Sequence, residues 1–276
     1  MNTTNPFDRI DTIHRESITR LAATLDMSEP NGVPPLWHWV SFLDSHPTST
    51  LGPDGHPRMG GLIPEPPHPR RMFAGGRMRW VKHLPVNTPV RRTASVGDII
   101  HKEGSRGPLA FTTIELTYTA GGETLAVEEQ DIVYLPESRI SHADAPARTA
   151  PSPRNDPEPA PDLEVEAVFA EVALFRFSAM TFNTHRIHYD LPYAKEVEGY
   201  PGLVVHGPLL VIRLLDLVRE AYGEQAVETL AFRAVAPAFC GSPVRFVGWR
   251  TGQDVRLEAR SDGRTLTRAD VKIRTN

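Results

Sequence analysis

The sequence predicts an α+β fold in which two antiparallel sheets each wrap a central helix, the first helix shortened. Three observations predict it. The apolar segment from His206 to Tyr222 carries helix punctuation at both ends. Strand-length segments separated by turn residues follow it. The amino half repeats the same order of strand patterns.

At 276 residues the chain can bury a substantial core and hold two domains of ordinary size. Composition marks the division: residues 1-135, a linker at 136-162, and residues 163-276. The linker, "PESRISHADAPARTAPSPRNDPEPAPD", replaces apolar alternation with proline, alanine and charge. Proline lacks the amide hydrogen that a helix or ladder needs, so the stretch reads as extended chain over the surface.

The carboxyl half opens with a strand-like run, "LEVEAVFAEVALFRFS", passes through "FNTHRIHYD", and reaches the helix. Gly207 and Pro208 suit the helix start and Gly223 its end. Between them Leu209, Leu210, Val211, Ile212, Leu214, Leu215, Leu217 and Val218 leave almost no polar side, so something must wrap it. The segments "ETLAFRAV", "PVRFVGW", "DVRLEARS" and "TLTRADVKI" supply strands, with a tight "SDG" turn before the last. One buried helix against a curved antiparallel sheet is the hot-dog arrangement.

In the amino half, "TASVGDII" parallels "APAFCGSPVRF", and "FTTIELTYTAGGETLAVEEQDIVY" parallels "DVRLEARSDGRTLTRADVKI". Where the carboxyl half has its long helix, "FAGGRMRWVKHLPVN" reads as a short one, since Pro85 stops a helix within about three turns of Gly76. A shortened helix would leave a hollow beneath the first sheet, with room for a bulky ligand. The preceding "PPLWHWVSFLDSHPTSTLGPDGHPRMGGLIPEPPHPRR" is either a loop bordering a site or a pinned surface loop anchored by Trp37 and Trp39.

A net charge of -4 with near-even acidic and basic counts offers no field for a polyanion, so no nucleic acid is expected and a small molecule is. The single cysteine, Cys240, allows no internal disulfide and fits a cytoplasmic location. The start, "MNTTNPFDRI", has neither the basic nor the apolar stretch of an export signal. The most apolar stretch is interrupted by His206, Arg213 and Asp216, so no membrane span is expected. Exposed sheet edges leave a homodimer open.

"FNTHRIHYD", Phe182 to Asp190, concentrates the chemistry. Helical spacing would put His185 and His188 on one face as metal ligands, with Asp190 as the third, but Asp190 would come from a different turn; no metal is expected. An acid/base reading needs fewer groups. One histidine takes a proton from water and returns it, while the Asn183 amide can hold that water. Charge developing on a carbonyl oxygen could be held by an amide at the helix start in "HGPLL", where Gly207 permits close approach. The plainer alternatives are a polar loop and an ordinary helix cap.

At these residues the chain resembles the MaoC-like acyl-CoA hydratases and dehydratases, whose motif runs Asp-x-Asn-Pro-x-His toward a His-Gly helix start. Laid on without gaps, the motif's aspartate falls on Asn183, its asparagine on His185, its proline on Arg186 and its histidine on His188, and "VVHGPLL" matches the helix start. The resemblance covers most of the chain and implies a double hot-dog hydro-lyase acting on a 2-enoyl-CoA thioester without a cofactor. It assigns catalysis to His188, Asn183 and Gly207, with the residue 1-135 domain accommodating substrate. The exchange of aspartate for Asn183 leaves His188 as sole base, with Asn183 positioning water. The branch implied handles a branched C5 dicarboxylic group, as in hydration of mesaconyl-C4-CoA to citramalyl-CoA; itaconyl-CoA hydration and fatty 3-hydroxyacyl-thioester dehydration are alternatives. A non-catalytic acyl-CoA binding module is the alternative of another class.

Further substrate contacts are expected from His185, Arg186, Tyr189, His206 and Arg77. Arg186 offers a planar fork to a carboxylate and could equally pair with Asp190 or Glu196. Arg70, Arg71, Arg77 and Arg79 could meet CoA phosphates or stand as a solvated face. Tyr189 reads as a pocket wall.

Overall fold

The computed structural model describes residues 7–57, 68, 70–104, 107–135 and 159–274. The first half comprises β1 (Arg9–Thr12), α1 (Arg15–Thr24), a one-turn 3-10 helix (Trp37–Val40), β2 (Arg70–Trp80), β3 (Pro89–Val96), β4 (Ile100–Gly104), β5 (Gly107–Ala120) and β6 (Glu123–Leu135). The second comprises β7 (Leu163–Val168), α2 (Glu171–Met180), short helical turns at Arg186–His188 and Tyr193–Val197, α3 (Gly207–Tyr222), β8 (Val227–Ala234), β9 (Pro243–Thr251), β10 (Asp254–Ser261) and β11 (Arg264–Ile273). Each half thus runs strand, helix, central helix, then its main strands, the order of a double hot-dog.

The sheets of the two halves join where β2 pairs antiparallel with β8. The result is one 11-stranded sheet in the order β1-β3-β5-β6-β2-β8-β11-β10-β9-β7, with β4 on β5. Glycine makes that seam close: a Cβ on Gly75 would lie 2.3 Å from the Phe232 carbonyl oxygen, and one on Gly76 2.5 Å from that of Glu129. The segment expected as the shortened helix is therefore strand β2. Its period-two burial, with Arg77 and Arg79 outward and Met78 and Trp80 inward, is that of a half-buried strand. The shortened central helix lies earlier, at Trp37–Val40, in the place in element order that α3 holds in the second half.

A second correction concerns "LEVEAVFAEVALFRFS". Only Leu163–Val168 is strand; the rest enters α2, which buries Leu174, Phe177 and Ser178 on one face. Helix α1 likewise buries Ile18, Leu21 and Ala22 at helical spacing. The four strands expected after α3 form as read, and Asp262 and Gly263 make the β10–β11 turn with φ of 49° and 71°. Glycine and aspartate tolerate that left-handed geometry, so a two-residue turn closes the hairpin. The linker's residues 136–158 lie outside the described residues; Pro159 accepts a hydrogen bond from Trp249 Nε1 at 2.8 Å.

Helix α3 is buried along most of its length, including Asp216 and Arg219. Trp37 Nε1 donates to Asp216 Oδ1 at 3.2 Å, so the short helix of one half is tied to the long helix of the other. Under the first half of the sheet His38, Tyr118 and Trp39 all donate to the buried Glu128 carboxylate. Burial alone would raise its pKa, but the hydrogen bond and charge interaction with His38, together with hydrogen bonds from Gln130 and Tyr118, outweigh that and hold it below the ordinary value. Trp37 and Trp39 are thus anchors of the loop segment, as one of its two readings required.

Candidate active site

The polar segment is fixed from two sides. Val204 donates its amide to the Ile187 carbonyl at 2.9 Å, stapling the approach to α3 onto the turn that carries His188. On the other side the turn Pro53–His56 docks against it: the Arg186 amide donates to the Asp54 carbonyl at 2.8 Å, Arg186 Nη1 to the Pro53 carbonyl at 2.9 Å, and Thr184 Oγ1 to the Gly55 carbonyl. Gly55 has φ +90°, and a Cβ there would lie 1.9 Å from the Thr184 carbonyl oxygen. Only glycine permits that approach.

His188 is 6% exposed, and its Nδ1 lies 2.7 Å from the Val204 carbonyl oxygen. A carbonyl only accepts, so Nδ1 carries the proton and Nε2 keeps its lone pair. Burial pushes the imidazole pKa down to about 4, against the raising effect of the Val204 bond. At neutral pH it is an uncharged ring able to accept a proton.

His206, the residue capping α3, stacks on His188 with centroids 3.6 Å apart and planes 18° from parallel. It is 1% exposed, its Nε2 lies 2.8 Å from Ser178 Oγ, and its Nδ1 is without a partner among the described residues. Burial holds it well below the ordinary histidine value, with the neighbouring imidazoles adding to that effect. Gly207 follows directly as the first residue of α3, where amides have no carbonyl partner within the helix. A Cβ on Gly207 would meet nothing within 4 Å, so there is open space beside the helix start. A proton acceptor and a helix N-terminus therefore share one small region.

Asn183 Oδ1 accepts the His185 amide at 3.0 Å, which commits its oxygen to the turn and leaves its NH2 group as donor. The His185 ring stands edge-on to His188, centroids 5.6 Å apart, and 4.2 Å from the ring of His56. Three other candidates are placed differently. Arg186 spends its fork on Asp190, Nη2 to Oδ2 at 2.7 Å, and lies over the Tyr193 ring. A substrate carboxylate would have to displace that pairing. Tyr189 is 48% exposed and donates to the Thr184 carbonyl, so it is not a packed wall. Arg77 stands on the outward face of β2, paired with Glu129 and Asp131, on the side of the sheet opposite α3. The pleat separates it from the histidines. It borders a groove of about 950 Å³ on that outer face, whose lining does not include His188. His206 meets His188 rather than facing outward, a placement suited to holding that ring and not to reaching a substrate. The envisaged set of His185, His188 and Asp190 is not assembled as a metal centre, since Asp190 is bound to Arg186 and to the Tyr193 amide.

Sequence reasoning missed Asp54, His56 and Ser178. The D-G turn at Asp54–Gly55 marks a loop, but nothing local tells that it docks 129 residues further on. Ser178 was hidden in a run taken for strand.

Comparison with known proteins agrees with this fold. Two solved structures share the fold: a MaoC-like dehydratase from Phytophthora capsici (TM-score 0.72, 12% identity, covering 98% of this chain and 95% of that one) and HtdX of Mycobacterium tuberculosis (TM-score 0.67, 14% identity, 97% and 100%). The chain is 43% identical over 262 residues to mesaconyl-C(4)-CoA hydratase of Chloroflexus aurantiacus, covering 92% of this chain and 90% of that one. It is 25% identical over 287 residues to the mitochondrial hydroxyacyl-thioester dehydratase type 2 of Schizosaccharomyces pombe, covering 88% and 89%. The model of the hydroxyacyl-thioester dehydratase type 2 family matches residues 36–240, from the short helix beneath the first half of the sheet to the connection between β8 and β9, and the chain belongs to that family.

Proposed function

We propose that the chain is a hydro-lyase that reversibly adds water to a 2-enoyl-CoA thioester carrying a branched C5 dicarboxylic group, with mesaconyl-C4-CoA giving citramalyl-CoA as the favoured case. The observation that carries the chemistry is the buried His188, its Nδ1 proton held by Val204 and its ring against the residue that opens α3. In the hydration direction Nε2 of His188 takes a proton from water as the oxygen attacks the β carbon. The Asn183 NH2 group orients that water. Electron density moves onto the thioester oxygen, where the Gly207 amide and the positive end of the α3 dipole stabilise it. The enolate then collapses, and the His188 proton passes to the α carbon; the residue 1-135 domain accommodates the acyl chain. The similarity to the Chloroflexus protein supports the dicarboxylic choice, and the Schizosaccharomyces relative supports a second one, dehydration of a fatty 3-hydroxyacyl thioester by the same groups in reverse.

Purified protein incubated separately with mesaconyl-C4-CoA, itaconyl-CoA and crotonyl-CoA should convert the first fastest, seen by mass spectrometry as the gain of one water. Faster turnover of crotonyl-CoA would select the fatty-chain reading. Binding without turnover of any of them would leave an acyl-CoA binding module, and full activity in His188→Ala would refute the mechanism.

A further inference from the structure

Beside the proposed site lies a second set of groups that the hydration chemistry does not use. The donor atoms of Asp54, His56 and His185 all lie within 4.8 Å of one another. Asp54 Oδ2 is 3.4 Å from His56 Nδ1, and the rings of His56 and His185 are 4.2 Å apart. None of the three is fully buried, so the set is open to solvent on one side.

Its backbone is preorganised. The turn bearing Asp54 and His56 is closed by the Gly52 amide to the His56 carbonyl at 2.6 Å and by the His56 amide to Asp54 Oδ1 at 3.0 Å. It is locked to the segment bearing His185 through Arg186, Thr184 and the close approach of Gly55. Two loops distant in sequence thus bring an oxygen and two imidazoles together on fixed main chain. The nearby positive charge of Arg186 is already matched by Asp190 at 2.7 Å. Two nitrogen donors and one carboxylate suit borderline divalent ions, and three protein ligands leave positions for water or another oxygen ligand.

We propose that Asp54, His56 and His185 form a binding site for one borderline divalent cation, of the zinc and cobalt class, next to His188. The site is separate from the base, since His188 holds Val204 through Nδ1 and is not one of the converging donors. It requires no part in hydration: binding and turnover are measured independently.

Full-length protein stripped with chelator and dialysed would be titrated with zinc chloride by calorimetry, and with cobalt(II) while visible absorption is followed. One zinc ion per chain is expected, tighter than about 10 μM, with a cobalt d–d band that zinc abolishes. His56→Ala and Asp54→Asn should each weaken zinc at least on the order of tenfold while the far-UV spectrum stays native, and His188→Gln should leave the affinity within about threefold. Binding weaker than that limit, a smaller effect in either loop variant, or equal loss in His188→Gln would overturn the proposal.

Discussion

The imidazoles of His188 and His206 lie face to face at 3.6 Å, and the second caps the start of α3. A base and a helix terminus are thereby held in register by one stacked pair. His206 is in turn held by Ser178 on α2, so the His188 ring inherits its orientation from two helices. Removing that support in His206→Ala frees the His188 ring on one face and should lower kcat on the order of 100-fold with a much smaller change in KM, as expected for misplacing a reacting group by about 1 Å. Steady-state hydration kinetics check it, and Ser178→Ala should show the same pattern more weakly. A change confined to KM would mean that His206 meets substrate directly.

Gly55 carries the contact between the first half's loop and the histidine segment. A methyl there would stand 1.9 Å from the Thr184 carbonyl oxygen, at φ +90° where side chains are strained in any case. The Gly55→Ala protein should lose about 1–3 kcal/mol of stability and part of its turnover, because the turn must lift away from Thr184 and Arg186. Denaturant midpoints and kcat, read together, test this. An unchanged midpoint would show that the docked turn is not held as described.

Much of the site was legible because it is local. His188, the helix start at Gly207 and the turn at Asp262–Gly263 each depend on a few consecutive residues whose types dictate their geometry. What escaped was long-range or masked by a competing signal. Pro85 suggested a truncated helix, whereas the alternation of Arg77, Met78, Arg79 and Trp80 and the tight packing of Gly75 and Gly76 belong to a strand squeezed between two others. In α2 the strand-forming Val172, Phe175 and Phe177 concealed a helical face of Leu174, Phe177 and Ser178. The i,i+4 pairing of Arg186 with Asp190 was one of the readings the sequence left open, whereas no local pattern could report that Asp54 and His56 lie beside His185.

Asp216 gives the fold a pH dependence. Burial drives its pKa up to about 6 from an ordinary value of 3.8, although Arg219, Arg213 and Trp37 all favour the ionised form. The folded protein therefore binds this proton more tightly than the unfolded chain, so the contribution is fully present below about pH 4 and is lost as pH rises to 6. The span corresponds to about 3 kcal/mol at one site. Asp216→Asn imitates the protonated form at every pH. Its stability relative to the parent should rise by up to about 3 kcal/mol between pH 4 and pH 7, measured by urea unfolding of both proteins at each pH. A constant difference would show that Asp216 stays ionised throughout, held by its arginines.

Gly207 separates a structural from a chemical role. As the first residue of α3 it has no need of glycine for the backbone: its φ is not in the left-handed range, and a Cβ would meet nothing within 4 Å. Alanine is the better helix former by up to about 1 kcal/mol, so Gly207→Ala should melt at or slightly above the parent temperature. The same methyl would stand in the open space beside the amide that is to receive the thioester oxygen. Blocking that approach should cost on the order of 100-fold in kcat/KM, the scale of losing one oxyanion donor. Stability and rate are then expected to move in opposite directions in a single variant, which a loss of fold cannot imitate. A Gly207→Ala protein that keeps both its melting temperature and its full hydration rate would place the oxyanion donor elsewhere.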